Sequence, residues 1–510
     1  MTVKSPKTDQ PRRTQKTCPR LKEHKEFFFF VSLVMVGLFS VLCGENVFVL
    51  LSAQQRPDRT KPPTLGPAPQ LDLPPIQKRT LANGLPVWII ESHEVPLAQV
   101  NLVVLAGSGD DPAGKFGVAS LTAAMLDEGA GSRSALEIAD RVEFLGASLS
   151  TTSSFDSSAV RLNVPVSRLN EALPVMADVA LRPAFSQEEL DRLRQERITS
   201  LLQARDDPQS IGAMAFARLV FGPMHRYGTG AIGTEATLKT FSPADLRAFH
   251  SAFFQPANAA LMVVGDVTAA AVLPQLEKHF GGWKASAPVT RADVPAATQL
   301  TRGQIYIVDK PDAEQSQIRI GWIGVPRSTP DYFPLIVLNT VLGGSFTSRL
   351  NQNLREEHGY SYGASSAFDM RLAAGPFVAA AGVQTDKTAE ALREFFNELN
   401  AIGKPIGAEE LSKAKNYIAL GFPAEFETSG DLSRAVEELI VYKLPDSHFE
   451  RYIANVQAVM ADAVQKAAAR YIQPSRLAVV VVGDRKTIEP GIRALNLGPV
   501  RVMTVEEALP

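Results

Sequence analysis

Two cysteines, Cys18 and Cys43, are all that the 510 residues contain, and both lie in the first tenth of the chain. The cysteine-free remainder offers neither a disulfide framework nor a thiolate metal site. Histidine is nearly as scarce. Past the leader there are only His93, His225, His250, His279, His358 and His448, and no two stand three to five residues apart. That spacing is what lets two imidazoles share one helix face around a metal. Basic runs are missing too, except at the start. Residues 1–26 hold eight Lys/Arg against three Asp/Glu, and the total of −2 leaves −7 for the remainder. A mildly acidic body has no basic face for phosphates, so nucleic acid is not expected as a partner.

What is present begins with a leader. Phe27–Cys43 carries no charge, and a second apolar stretch, Val47–Ala53, follows Gly44-Glu45-Asn46. A basic flank before such a run reads as an export signal or a membrane anchor, with the N-terminus in the cytoplasm and the body outside. Leu51-Ser52-Ala53 has Leu where a cleavage site needs a small residue, and Ser40-Val41-Leu42-Cys43 is a poor lipoprotein box. A cleaved signal, an uncleaved anchor and a start codon placed too far upstream all stay open. The expectation is a body in the periplasm or on the outer face of the inner membrane, reached through residues 1–53. Residues 54–77, rich in proline, are expected to be an extended spacer.

The body repeats itself. Gln255-Pro256 and Gly265-Asp266 bracket a Val-rich run, and so do Gln473-Pro474 and Gly483-Asp484, without a gap. Each run follows a helical stretch ending in an aromatic, Ala244–Phe254 and Ala461–Tyr471, and reads as a buried strand between two turns. Ala98–Val104 and Gln317–Gly324 alternate alike, and each leads through a turn to an amphipathic helix, near Gly117–Glu128 and Tyr332–Leu342. Ala147–Thr152 with Ser158–Val164 reads as a hairpin. The expected fold is α+β: two homologous halves, each a mostly antiparallel sheet with helices on one face, arranged as a clamshell. The expected boundaries are 78–283 and 302–490, with a linker at 284–301 and a tail at 491–510.

Thr80-Leu81-Ala82-Asn83-Gly84-Leu85-Pro86-Val87, the turn Ala106-Gly107-Ser108 and Lys115-Phe116-Gly117-Val118-Ala119 resemble the start of the pitrilysin/insulinase family of zinc peptidases, which includes mitochondrial processing peptidases. The resemblance covers roughly residues 76–490. Catalytic members carry His-x-x-Glu-His on the helix after this segment: two histidines four apart bind zinc, and the Glu between them is the general base. A second Glu far downstream is the third ligand. The pattern falls on Ser120 and Ala124 for the histidines, Ala123 for the base and Ser200 for the distant ligand. None can do those jobs, so this chain is expected to bind no cofactor itself. His225 and His250 read as surface or helix-packing residues, and Asp110-Asp111 as a solvated turn.

The second half keeps a different motif. Leu342-Gly343-Gly344-Ser345-Phe346-Thr347-Ser348-Arg349-Leu350, continuing through Arg355 to Gly359-Tyr360-Ser361-Tyr362-Gly363, closely resembles bacterial members of the family. In those, an Arg and a Tyr seven residues apart hydrogen-bond the substrate and stabilise charge on the tetrahedral intermediate. Arg355 and Tyr362 match that pair. Guanidinium and phenol both donate hydrogen bonds, as an oxyanion requires. Gly359 is expected to end the helix that carries Arg355. Without the family, Arg355 would pair with Glu356 or Glu357 and Tyr362 would pack in the sheet. Gly343, Gly344 and Ser345 read either as a turn or as a substrate-contacting loop, and Phe346 as a core residue in preference to a substrate-side wedge.

Some bacterial relatives divide the work between a zinc-bearing chain and a chain with the Arg/Tyr pair. The resemblance therefore implies a non-catalytic subunit whose zinc-bearing homologous partner closes over extended peptide substrates. Two other readings stand beside it: a structural or peptide-binding protein of the same fold, and an active metallopeptidase with an unconventional zinc site.

Overall fold

Alternation and β-branched runs decide where the strands fall. The computed structural model describes residues 66–285, 288–291 and 293–509. The first half contributes β1 (Gln77–Thr80), β2 (Pro86–Glu91), β3 (Leu97–Val104), β4 (Ser148–Ser153), β5 (Ser158–Pro165) and β6 (Ala259–Gly265). The second contributes β7 (Gln304–Asp309), β8 (Gln315–Ile323), β9 (Ser361–Phe368), β10 (Pro376–Gln384), β11 (Ala478–Gly483) and β12 (Val500–Met503). Their orders are β1-β2-β6-β3-β5-β4 and β12-β7-β11-β8-β10-β9. Setting aside the first strand of each, the two sheets have one topology. The pairs β2–β6 and β7–β11 are parallel, and the strands beyond them pair antiparallel. The leader calls at residues 1–53 lie outside the described residues; among the described residues no helix is long and apolar enough to cross a membrane.

The Val-rich strands β6 and β11 are buried at every position, which requires both faces of each sheet to be covered. Five helices explain how: α1 (Val118–Ala124), α2 (Gln187–Ala204), α3 (Pro208–Phe221), α4 (Tyr332–Leu342) and α5 (Ser429–Val441). One face of each sheet meets helices of its own half, among them α1 and α2 in the first and α4 in the second. The other face is covered by exchange. Helix α3, from the first half, lies on β8 and β11 of the second, and α5, from the second, lies on β3 and β6 of the first. Each half thus packs its own helices on one face of its sheet, as expected, and the exchanged helix covers the other.

Sequence makes both exchanged helices suitable. Leu432, Val436 and Ile440 recur every fourth residue on α5 and are buried with Val103, Met262 and Val264. Ile211, Ala215, Phe216 and Val220 do the same on α3, against Val480 and Val482. Asp207 caps α3 ahead of Pro208, and Thr428 with Asp431 forms a capping box on α5. At about 1.5–3 kcal/mol for each large apolar side chain buried, each helix contributes several such terms to the opposite half.

Three expectations about extent change. Residues 491–510 are more than a tail, because β12 pairs parallel to β7, and Met503, Ala508 and Leu509 are buried under α3. At the other end of the body, Leu73 and Ile76 of the spacer pack against the cluster beneath α5. Helix α1 stops at Ala124 rather than Glu128, and the chain then turns to the bridge between Ala130 and Pro183.

Candidate functional site

Helix α1 starts where Asp111 holds it. The Asp111 carboxylate accepts the backbone N–H groups of Gly117 at 2.6 Å and Ala119 at 2.9 Å. Burial pushes this carboxyl up to about 7, against those two donors, which favour the charged form. Asp110 accepts from Gly107 N–H and from two nitrogens of Arg291, at 2.9 and 2.8 Å. Both aspartates are buried. The reading as a solvated turn fails because Arg291, far along the chain, supplies the missing cation.

Ser120 and Ala124 lie one turn apart on α1, and α2 carries Ser200. An arginine, not a metal ligand, reaches into this region. Arg197 donates through Nη1 to Ser120 Oγ at 3.2 Å and through Nη2 to Ser120 O at 2.9 Å. Burial pulls its guanidinium down to about 10. Ala123 is buried, while Ser200 is exposed and turns its hydroxyl to Glu196 O at 3.1 Å. Zinc needs three or four N, O or S donors at about 2.0–2.3 Å. Two hydroxyls, two methyls and a guanidinium do not fit it, since a second cation beside Arg197 would meet repulsion without compensating ligands. Among the described residues no cluster of three or more His, Cys, Asp or Glu is placed to hold a metal. His225 hydrogen-bonds Pro295 O and stacks on Phe221; His250 hydrogen-bonds Ala180 O and stacks on Phe254.

The second half assembles its motif at the rim of its sheet. After α4 the chain enters a short helix, Arg349–Asn351, which widens into a π-turn over Gln352–Glu357. Single π-turns recur at functional sites. Gly359, at φ +64°, ends it and lets the chain enter β9. A bulge follows: Ser361 pairs with Val383 and Ala364 with Ala381, so Tyr362 and Gly363 both stand against Gly382. The Ser361 hydroxyl sits in the bulge, accepting from Gly363 N–H at 3.0 Å and lying 2.8 Å from Gly382 O. The bulge leaves Tyr362 89% exposed, which excludes packing within the sheet.

Arg355 lies between two aromatic rings, its Cζ 4.6 Å from the Phe346 centroid and 5.0 Å from that of Tyr362. Its Nε also pairs with Glu356 at 3.1 Å, so the anticipated ion pair and the juxtaposition with Tyr362 coexist. Phe346 is 57% exposed and is not the expected core residue; it stacks on a cation at the surface.

Gly343, Gly344 and Ser345 connect α4 to this cluster. A Cβ on Gly343 would run into the backbone nitrogen of Ser366, whose N–H donates to Gly343 O at 3.1 Å. Gly344 N–H donates to Asn339 O at 2.6 Å, and Ser345 Oγ to Thr340 O at 3.1 Å. The close approach of backbone to β9 accounts for Gly343, and these hydrogen bonds point back into the fold.

Comparison with known proteins matches this architecture. The family profile described as "Insulinase (Peptidase family M16)" fits residues 87–214, and the one described as "Peptidase M16 inactive domain" fits residues 240–418. This chain belongs to the pitrilysin/insulinase peptidase family. Among its relatives is an uncharacterized zinc protease of Bacillus subtilis, 26% identical over 365 residues, 70% of this chain and 87% of that one. An uncharacterized zinc protease of Mycobacterium tuberculosis is 26% identical over 430 residues, 82% and 96% of the two chains. Among solved structures, the M16 inactive domain from Pseudomonas fluorescens superposes with a TM-score of 0.74 at 23% identity, covering 80% of this chain and 98% of that one. A protease from Helicobacter pylori gives 0.75 at 21%, covering 80% and 100%. At those identities the structural likeness speaks for the fold.

The family motifs pointed to Ser120, Ala123, Ala124, Ser200, Arg355 and Tyr362. The family motifs did not point to Arg197, although it lies one turn before Ser200 on α2. An arginine three residues from a vacated ligand position was the available signal.

Proposed function

We propose that this chain is the non-catalytic subunit of an exported heterodimeric zinc peptidase, lending Arg355 and Tyr362 to a zinc-bearing homologous partner. The observation that carries this reading is the contrast within one chain. The metal positions hold Ser120, Ala124 and Ser200 with Arg197 among them, while Arg355 on the π-turn stands beside an exposed Tyr362 on the free edge strand β9. Relatives named as zinc proteases and neighbours named as inactive domains support it. In this reading the zinc belongs to the partner, and extended peptides are the substrate. The basic N-terminus and uncharged Phe27–Cys43 support export to the periplasm or to the outer face of the inner membrane.

The two side chains suit the task. A peptide carbonyl that gathers negative charge can accept from both the guanidinium and the phenol. Preorganised donors act without reorganising during the reaction, and stacking between Phe346 and Tyr362 limits how far the Arg355 head can move. The pairing of Arg355 with Glu356 is the observation on the other side. It suits the alternative of a structural or peptide-binding protein in which the arginine is spent on its neighbour.

The test is chelator-sensitive peptidase activity in material purified through this chain from its native host. Arg355→Ala and Tyr362→Phe are each expected to lower turnover by a factor on the order of tens to hundreds with the complex still assembled. A partner lacking His-x-x-Glu-His, or full turnover in both variants, would leave the structural alternative standing.

A further inference from the structure

The two sheets present equivalent inner faces with different chemistry. Under α5, Asn101 on β3 stands opposite Arg161 on β5, and Gln99 opposite Asn163. Every one of these side chains is partnered. Gln99 donates to Asn101 at 2.6 Å, Asn163 to Gln99 at 2.9 Å, and Asn101 to Ser433 of α5 at 2.6 Å. Arg161 binds both oxygens of Glu437, also on α5, at 2.9 and 2.7 Å.

In the second half the matching positions on β8 are Gln317 and Arg319, and those on β10 are Gly382 and Ala380. The arginine has moved one strand inward and its acid has no counterpart, because α3 contains neither Asp nor Glu. Helix α3 brings Gly212 against Arg319 instead, with Nε 3.5 Å from where a Gly212 Cβ would stand. Among the described residues the Arg319 guanidinium has no ion pair and no hydrogen bond. Burial alone depresses its basicity, with no neighbouring charge to offset it. A half-buried cation without a counter-charge is a cost to the fold, and one that an arriving anion would remove.

The ground beside it is open. Gly363, Ser365 and Ala367 on β9 are exposed, and Ala380 and Gly382 on β10 are half-buried. Arg319, Ala380 and Ser365 form one row across the sheet; Gln317, Gly382 and the Tyr362–Gly363 bulge form the next. With strands about 4.8 Å apart, Arg319 lies roughly 10 Å across a floor of small residues from the rim that carries Tyr362.

We propose that Arg319 anchors a carboxylate-binding subsite on this floor, taking an acidic side chain or the C-terminal carboxylate of a peptide engaged at the rim by Arg355 and Tyr362. The peptide part rests on the function proposed above; the carboxylate part does not.

The test is arginine modification of the full chain by phenylglyoxal, mapped residue by residue by mass spectrometry. N-acetylglutamate amide supplies a side-chain carboxylate, N-acetylalanine a terminal one, and N-acetylglutamine amide is the neutral control. At least one carboxylate is expected to slow adduct formation at Arg319 about threefold or more, while the neutral amide leaves that rate unchanged and no additive changes the rate at the exposed arginines. Which carboxylate protects identifies the source. Equal rates with each of the three additives and with none, equal protection by the neutral amide, or no reaction at Arg319 would each overturn the subsite. In calorimetric titration of the folded chain with the protecting carboxylate and with the neutral amide, Arg319→Lys is expected to keep the preference for the carboxylate and Arg319→Gln to lose it. Protection at Arg319 in a chain with no peptidase partner would keep the subsite and sink the subunit reading. Turnover that depends on Arg355 without protection at Arg319 would do the reverse.

Discussion

The first half ends its sheet at β4 and the second at β9, and the strands behind these edges share one order. Only the second displays an arginine and a tyrosine at that rim. Conversely, the first half carries the helix on which the family places its metal ligands, and fills the place with Ser120, Ala124 and Arg197. Beneath the exchanged helices the contrast recurs, with Arg161 neutralised by Glu437 in one half and Arg319 left single in the other. Duplication supplies equivalent places, and the few side chains set on them decide the chemistry. A fold match therefore reports the places without reporting their use.

The largest expected effect comes from breaking the exchange that makes the halves one unit. Phe216 belongs to the first half but is buried against the second half's sheet. Phe216→Ala should cost about 3–5 kcal/mol and lower the urea midpoint while unfolding remains a single transition. Two separate transitions would mean that the halves fold independently despite α3 and α5.

A second experiment sharpens the contrast at α1. Ser120→His, Ala123→Glu, Ala124→His and Ser200→Glu together restore the family's donors. With Arg197 in place this variant is expected to retain little zinc through dialysis. Adding Arg197→Leu should tighten zinc binding by an order of magnitude or more, because a fixed like charge a few ångströms away opposes the ion. Equal zinc content with and without Arg197 would show that the guanidinium is no obstacle.

The halves should also answer pH in opposite senses. His448 in the second half is pulled from 6.5 to about 4 by burial and by Arg327, whose Nη2 lies 3.1 Å away. The unfolded chain takes up that proton first, so its stabilising contribution is complete above about 6.5 and is lost as pH falls toward 4. Asp111 in the first half is raised from 3.8 to about 7. Its contribution is present below 3.8 and lost as pH rises through 7. Thermal melts across this range should show a flatter acid limb in His448→Gln and a shallower loss of stability toward neutrality in Asp111→Asn. Parallel curves for wild type and either variant would remove that residue from the account.

The smallest effect belongs to Phe346. Phe346→Ala removes one ring from Arg355 and should weaken what that arginine binds by about 0.5–1 kcal/mol, with the melting temperature unchanged. A drop in melting temperature instead would make Phe346 a packing residue after all.

Much of this was written locally. The helices Tyr332–Leu342 and Ala461–Tyr471 and the strands on either side of each Gly-Asp turn follow from period and punctuation over a dozen residues. The Arg355–Tyr362 pairing was legible for the same reason, since a turn at Gly359 and a bulge at Gly363 act within eight residues. Asp110 and Asp111 were not, because Arg291 and the start of α1 reach them only in the folded chain. Phe346 was misread because an exposed stacking aromatic and a core aromatic look alike in a sequence.

By itself, then, the sequence determined the duplication, the strand and helix types, the non-ligating residues Ser120, Ala123, Ala124 and Ser200 where the family resemblance puts a zinc site, and Arg355 seven residues before Tyr362, all of which depend on residue identity and short-range spacing. Only the tertiary structure decided that α3 and α5 trade sheets, that Arg197 reaches Ser120 and that Arg319 has no acid partner among the described residues. An apolar stripe states that a helix must be covered without naming the sheet that covers it, and a charge acquires or lacks a partner only when distant segments meet.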